Sequence, residues 1–89
     1  MAVAEIAPAP DPSALELAAG SASRFDWVVF SSANAVDAFM AALGRLSQDA
    51  RAFGNARICA VGPATAARLA HYHLHADLVP AEFRAEGAF

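Results

Sequence analysis

The chain has 89 residues and a mass of 9.2 kDa, which is room for one small domain and, for any larger enzyme, only a fragment of it. The apolar share is 57%, but 25 of those residues are alanine and 26 are larger, enough for one modest core and too few for two. Six Arg, no Lys and nine acids give a net charge of −3, which argues against a nucleic-acid surface, and a lone Cys59 excludes an internal disulfide and fits a reducing cytoplasm. No run reaches the roughly 18 apolar residues of a bilayer span. The N-terminus also lacks the basic-then-apolar pattern of a secretory signal.

In chain order, Ala2 to Ile6 is a short apolar strand closed by Pro8, Pro10 and Pro12. Ser13-Ala14-Leu15-Glu16 has the capping-box pattern, predicting a helix from Ser13 to about Ala22. Phe25 to Phe30 is a continuous apolar run, as in strands covered on both faces. A helix over Ala33–Leu46 follows from Val36, Phe39, Met40, Leu43 and Leu46 at spacings of three and four. Ser47 to Asn55 connects, with a turn of helix near Phe53, and Ile58 to Val61 is a second buried strand ended by Gly62-Pro63. A helix from Ala64 to about Tyr72, a short strand at Asp77-Leu78-Val79 and a helix starting near Ala85 complete the series.

This alternation predicts an α/β domain: a three-layer parallel sheet flanked by helices and linked by right-handed crossovers. Met1 opens directly into a strand and Gly87-Ala88-Phe89 stops inside a beginning helix. The expectation is one domain over residues 1–89, truncated at its C-terminal end. Phe30-Ser31-Ser32-Ala33-Asn34-Ala35 and Val61-Gly62-Pro63-Ala64-Thr65-Ala66 form a short internal repeat 31 residues apart. Both copies set a helix N-terminus at the carboxyl edge of the sheet, where open α/β sheets bind ligands. Ser31, Ser32, Asn34, Gly62 and Thr65 stand at that edge, and two readings stay open for them: helix caps and turn residues, or donors to a carboxylate or phosphate.

Other chemistry is poorly supplied. His71, His73 and His75 alternate at a helix end with no Cys or carboxylate at ligand spacing, so a solvated terminus is expected and no metal. Cys59 sits mid-strand as a small apolar residue, and Trp27 and Phe30 belong to the core. Asp26 and Asp77 are too isolated for a general acid/base pair, and Gly62 to Thr65 lacks both the P-loop and the dinucleotide-binding glycine patterns.

Asp26-Trp27-Val28-Val29-Phe30-Ser31-Ser32-Ala33-Asn34-Ala35-Val36 resembles a signature of the uroporphyrinogen-III synthase family. Ala60-Val61-Gly62-Pro63-Ala64-Thr65-Ala66 resembles its second signature, and Asp77-Leu78-Val79-Pro80 and Ala85-Glu86-Gly87 follow in the family's order. The resemblance implies a flavodoxin-like half: most of the inserted domain of a two-domain enzyme whose active site lies between the domains. It implies a cofactor-free lyase that cyclises hydroxymethylbilane to uroporphyrinogen III, with inversion of the terminal ring and loss of water. Ser31, Ser32 and Thr65 would be substrate-side hydroxyls, with Gly62 and the N–H groups of Ala33 and Ala64 beside them.

The implied partners are the tetrapyrrole substrate and the second α/β domain of the same chain, in a monomeric cytoplasmic protein with no nucleic acid or membrane. The isolated fragment is expected to be inactive, since positioning needs both walls. The parent can be a stand-alone synthase or a fusion to a uroporphyrinogen methyltransferase. A non-catalytic α/β module for a carboxylate or phosphate ligand, or a plain interaction domain, are the alternatives. Two departures stand out: Arg84 replaces a small polar residue, and His73 replaces a helix-ending glycine. Tyr72 does not match the family's proposed tyrosine proton donor, so that role is not transferred.

Overall fold

Parallel pairing organises the chain. The computed structural model describes residues 1–7 and 11–81, so the expectations on Pro8, Pro10, Arg84 and the helix near Ala85 lie outside the described residues. Strands β1 (Val3–Ile6), β2 (Trp27–Phe30) and β3 (Arg57–Ala60) form a sheet in that order. Val3 pairs with Trp27 and Trp27 with Arg57, and the parallel register runs on to Ile6, Phe30 and Ala60. Helices α1 (Pro12–Gly20), α2 (Ala33–Arg45) and α3 (Pro63–His71) make the crossovers, and single 3-10 turns occupy Ala22–Arg24 and Ala50–Phe53.

The three helices lie on one face of the sheet. One core cluster joins them to it: Ala4, Ile6, Val28, Phe30, Ile58 and Ala60 from the strands meet Leu15, Ala19, Val36, Phe39, Leu43 and Leu69 from the helices. Phe30, Phe39 and Phe53 are its aromatic centre, with Phe39 edge-on to Phe30 and stacked on Phe53, both at 5.3 Å. Alternation along the strands turns Val3, Glu5, Trp27, Val29, Arg57 and Cys59 to the other face. Val29 and Cys59 are fully buried there, in accord with their continuous apolar runs.

Three boundaries differ from the sequence reading. Helix α1 starts at Pro12 with Asp11 at the N-cap position, and no side chain caps it. Ser13 is therefore inside the first turn, because proline, with φ preset and no N–H to satisfy, already fits the first helical position. The strand expected at Asp77-Leu78-Val79 is reduced to a single parallel bridge, Cys59 to Leu78. Its ladder is partly made by a side chain: Ile58 N–H donates to Asp77 Oδ2 at 2.7 Å, while Asp77 N–H donates back to the Ile58 carbonyl at 2.7 Å. The 31-residue repeat is one residue out of structural register, since Phe30 pairs with Ala60 and the N-caps Ser32 and Gly62 are 30 apart.

Helices α2 and α3 end alike. Ser47 and His73 take left-handed backbone, φ 57° and 64°, and Gln48 and Leu74 N–H groups reach back to the Leu43 and Leu69 carbonyls. This is the six-to-one closure in which glycine normally supplies the left-handed residue. His73 thus holds, with a side chain, the left-handed position that glycine normally takes.

Candidate functional site

Each βα turn brings a helix start to the carboxyl edge of the sheet, and β2 and β3 being neighbours sets two such starts side by side. At the first, Ser32 is extended (φ −159°, ψ 164°) and its Oγ accepts the Ala35 N–H at 3.1 Å. The hydroxyl is a true cap, yet its own proton stays free to be donated, so the two readings of Ser32 are compatible. The N–H groups of Ala33 and Asn34 have no intrahelical acceptor, as in any first turn.

Ser31 is engaged elsewhere. Its hydroxyl donates to the Ile6 carbonyl at 2.9 Å, tying the end of β2 to the end of β1. With that proton committed, Ser31 offers an incoming carboxylate no donor.

At the second start, Gly62 is the N-cap residue, with φ 88° and ψ 157°, a conformation that glycine reaches without strain. Its N–H donates to the Pro80 carbonyl at 2.8 Å, which folds the segment after Leu78 against this turn. Pro63 has no N–H, so the open donors of the first turn are those of Ala64 and Thr65. Thr65 is only 3% exposed, and among the described residues its hydroxyl has no hydrogen-bond partner. The geometry thus gathers Ser32, Ala33, Asn34, Gly62, Ala64 and Thr65 along one edge, where the positive ends of two helices favour negative charge.

One connection was invisible in the sequence. Asp37, in the second turn of α2, accepts the Tyr72 hydroxyl at 2.8 Å and a short Arg68 guanidinium hydrogen bond. The Arg68 bond, then the Tyr72 bond, hold its carboxyl below the ordinary carboxylate value, and the same pairing pushes the Tyr72 phenol up. A phenol so held is a poor proton donor near neutrality. Arg68 and Tyr72 lie four apart on one helix face, a signal for a shared partner, but nothing in the sequence singles out Asp37 among nine acids.

The remaining candidates do not join the edge. His71, His73 and His75 are exposed at and beyond the far end of α3. Among the described residues no group of three His, Cys, Asp or Glu could hold a metal ion. Burial pushes the Cys59 thiol above its ordinary value, which leaves it a packing residue. Among the described residues no helix is long and apolar enough to cross a membrane.

Comparison with known proteins gives one finding. A family model described as uroporphyrinogen-III synthase HemD matches residues 1–87. Searches of curated proteins and of solved structures each return no match.

Proposed function

Because this chain belongs to the uroporphyrinogen-III synthase family, we propose that its carboxyl edge is one wall of the cleft in which hydroxymethylbilane is cyclised to uroporphyrinogen III. One observation carries the reading: two adjacent helix starts, at Ser32 and Gly62, turn unfilled N–H donors to the same edge. The substrate bears acetate and propionate groups, and helix N-termini are suited to such carboxylates without spending a cation. The net charge of −3 gives no long-range attraction for such a substrate, so these short-range donors do the holding.

In the reaction, the linear tetrapyrrole loses its hydroxyl as water, which leaves an electrophilic methylene on the terminal ring. The far ring attacks through its substituted carbon, and the spiro intermediate fragments and recloses with that ring inverted. The part assigned to this chain is positioning. Ser32 Oγ–H, the Thr65 hydroxyl and the N–H groups of Ala33 and Ala64 bond substrate carboxylates, and Gly62 keeps the turn low enough for their approach. Ser31 acts behind them, fixing β1 to β2 through Ile6. The opposite wall is the second α/β domain of the family's enzymes, in a monomeric cytoplasmic synthase that needs no cofactor.

The test is an amide NMR titration of the chain with uroporphyrinogen III kept reduced. Shifts concentrated at 31–34 and 62–65 are expected, and they should weaken in Thr65→Val. Signals that stay in place at millimolar ligand would overturn the assignment of this edge and favour a plain interaction domain.

A further inference from the structure

The strand order β1-β2-β3 leaves β1 with a neighbour on one side only. The Ala2 and Ile6 carbonyls accept the Trp27 and Ser31 N–H groups, so the even positions of this strand turn their backbone groups to β2. Backbone direction alternates along a strand. The N–H and C=O groups of Val3 and Glu5 therefore point away from the sheet, with no partner among the described residues. Val3–Ile6 holds no Lys or Pro, the residues that commonly protect an open edge.

Helix α1 continues the pattern one layer up. Its Leu15 and Ala19 are buried, while Glu16 reaches Arg45 and Gly20 lies beside Leu46 on the side of α2. Ala14 and Ala18 occupy the flank away from α2, with Leu17 above them at 74% exposed. Ala14, Leu15 and Ala18 roof a groove of about 250 Å³ whose floor is Val3 to Ile6. An open strand edge, an apolar groove and an exposed leucine thus lie side by side.

We propose that this edge pairs with the same edge of a second copy of the chain, antiparallel, about a two-fold axis that passes by Ala4 perpendicular to the sheet. Val3 of each copy then stands across from Glu5 of the other, and the two exchange both backbone hydrogen bonds. Charge selects this register, since a pair centred on Glu5 would set two carboxylates directly opposite each other. Ala4 across from Ala4 leaves the space above the seam to the helices. Because the three helices lie on one face, the axis keeps both α1 helices on the same side of the joined sheet, with their Ala14, Leu17 and Ala18 flanks opposed.

A second copy fits better than a lone extended peptide. Such a peptide would satisfy the strand edge but leave Leu17 in water, whereas a second copy covers edge, groove and leucine with the same residues. Apart from Glu5, the groove lining carries no charge that would select a foreign partner. The pairing does not rest on the tetrapyrrole reading and leaves the carboxyl edge of each copy open. It sets two copies of this chain together where that reading takes a single one.

Sedimentation equilibrium of the chain from micromolar to millimolar concentration tests the pairing. A reversible rise from the 9.2 kDa chain to twice that mass, and no further, is expected. Glu5→Pro removes an N–H that β2 does not use and should weaken the association about tenfold or more. Leu17→Lys, at an exposed position, should weaken it by about tenfold with the fold intact, so it tests the pairing even where the proline disturbs β1. A single 9.2 kDa species at millimolar concentration would overturn the proposal. So would growth beyond the pair, or association as tight as wild type in a folded Leu17→Lys.

Discussion

The Tyr72 hydroxyl donates to Asp37 Oδ1 at 2.8 Å, joining the C-terminal end of α3 to the second turn of α2. Arg68 bonds the other oxygen of the same carboxylate, so one side chain pins two helices whose N-termini form the candidate site. The arrangement has a pH signature. Asp37 titrates below its ordinary 3.8 in the folded chain, so its contribution to stability is present above that value and is lost as pH falls through the folded one. Thermal melts of the wild type and Asp37→Asn should therefore differ at neutral pH, with the variant lower, and should converge in acid. Curves that stay parallel from neutral pH down through the acid range below 3.8 would rule out the pairing.

Ser32 and Thr65 should respond differently to removal of their hydroxyls. Ser32→Ala deletes the acceptor of the Ala35 N–H and should cost about 1 kcal/mol in denaturant unfolding. Thr65→Val keeps the shape and deletes a hydroxyl with no partner among the described residues, so stability should change by less than about 0.5 kcal/mol. Equal losses at the two positions would mean that Thr65 also serves as a cap.

Glycine positions in this chain carry opposite expectations. Gly54 has φ 56° and a Cβ there would press on Ser23, so Gly54→Ala should destabilise by about 1–3 kcal/mol. Gly44 is helical with nothing within 4 Å of its missing Cβ, and Gly44→Ala should stabilise by about 0.5–1 kcal/mol. Urea midpoints moving in the same direction for both would contradict the turn-locking role of Gly54.

The left-handed backbone at His73 gives a further stability test. His73→Gly relieves a φ of 64° that costs a side-chain-bearing residue, and the midpoint should rise by an amount equivalent to about 1 kcal/mol. No gain would mean that the exposed imidazole makes up for the strain.

The aromatic centre should be the least forgiving part of the chain. Phe39 is fully buried between Phe30 and Phe53, and Phe39→Ala should cost about 3–5 kcal/mol, much of the stability of a domain this small. Near-ultraviolet circular dichroism would register the loss as a collapse of the aromatic signal at room temperature.

Much of the fold was legible because its signals are local. The runs around Val28-Val29 and Ile58-Cys59 announce buried parallel strands, and the spacing of Val36, Phe39 and Leu43 fixes the buried face of α2. Both helix starts at the carboxyl edge are marked in the sequence by Ser31-Ser32 and Gly62-Pro63. Short-range ambiguity produced the errors: Ser13 and Asp11 are both competent caps, and only Pro12 between them decides. At Asp77 the hydrogen-bond partner that replaces a regular strand is a carboxylate, which no hydropathy pattern encodes.

What the sequence determined by itself, then, is the alternation of strands and helices, which rests on apolar periodicity and turn residues within a few positions of one another, and the family, through the resemblance of Asp26 to Val36 and Ala60 to Ala66 to its signatures. Tertiary structure alone decided which donors remain open. The Ser31 hydroxyl donates a hydrogen bond to the Ile6 carbonyl, 25 residues away, whereas the Thr65 hydroxyl has no such acceptor among the described residues. It also decided that Asp37 meets Arg68 and Tyr72. Hydrogen bonds and ion pairs act over about 3–4 Å, so their partners are fixed only once the crossovers have brought distant turns together.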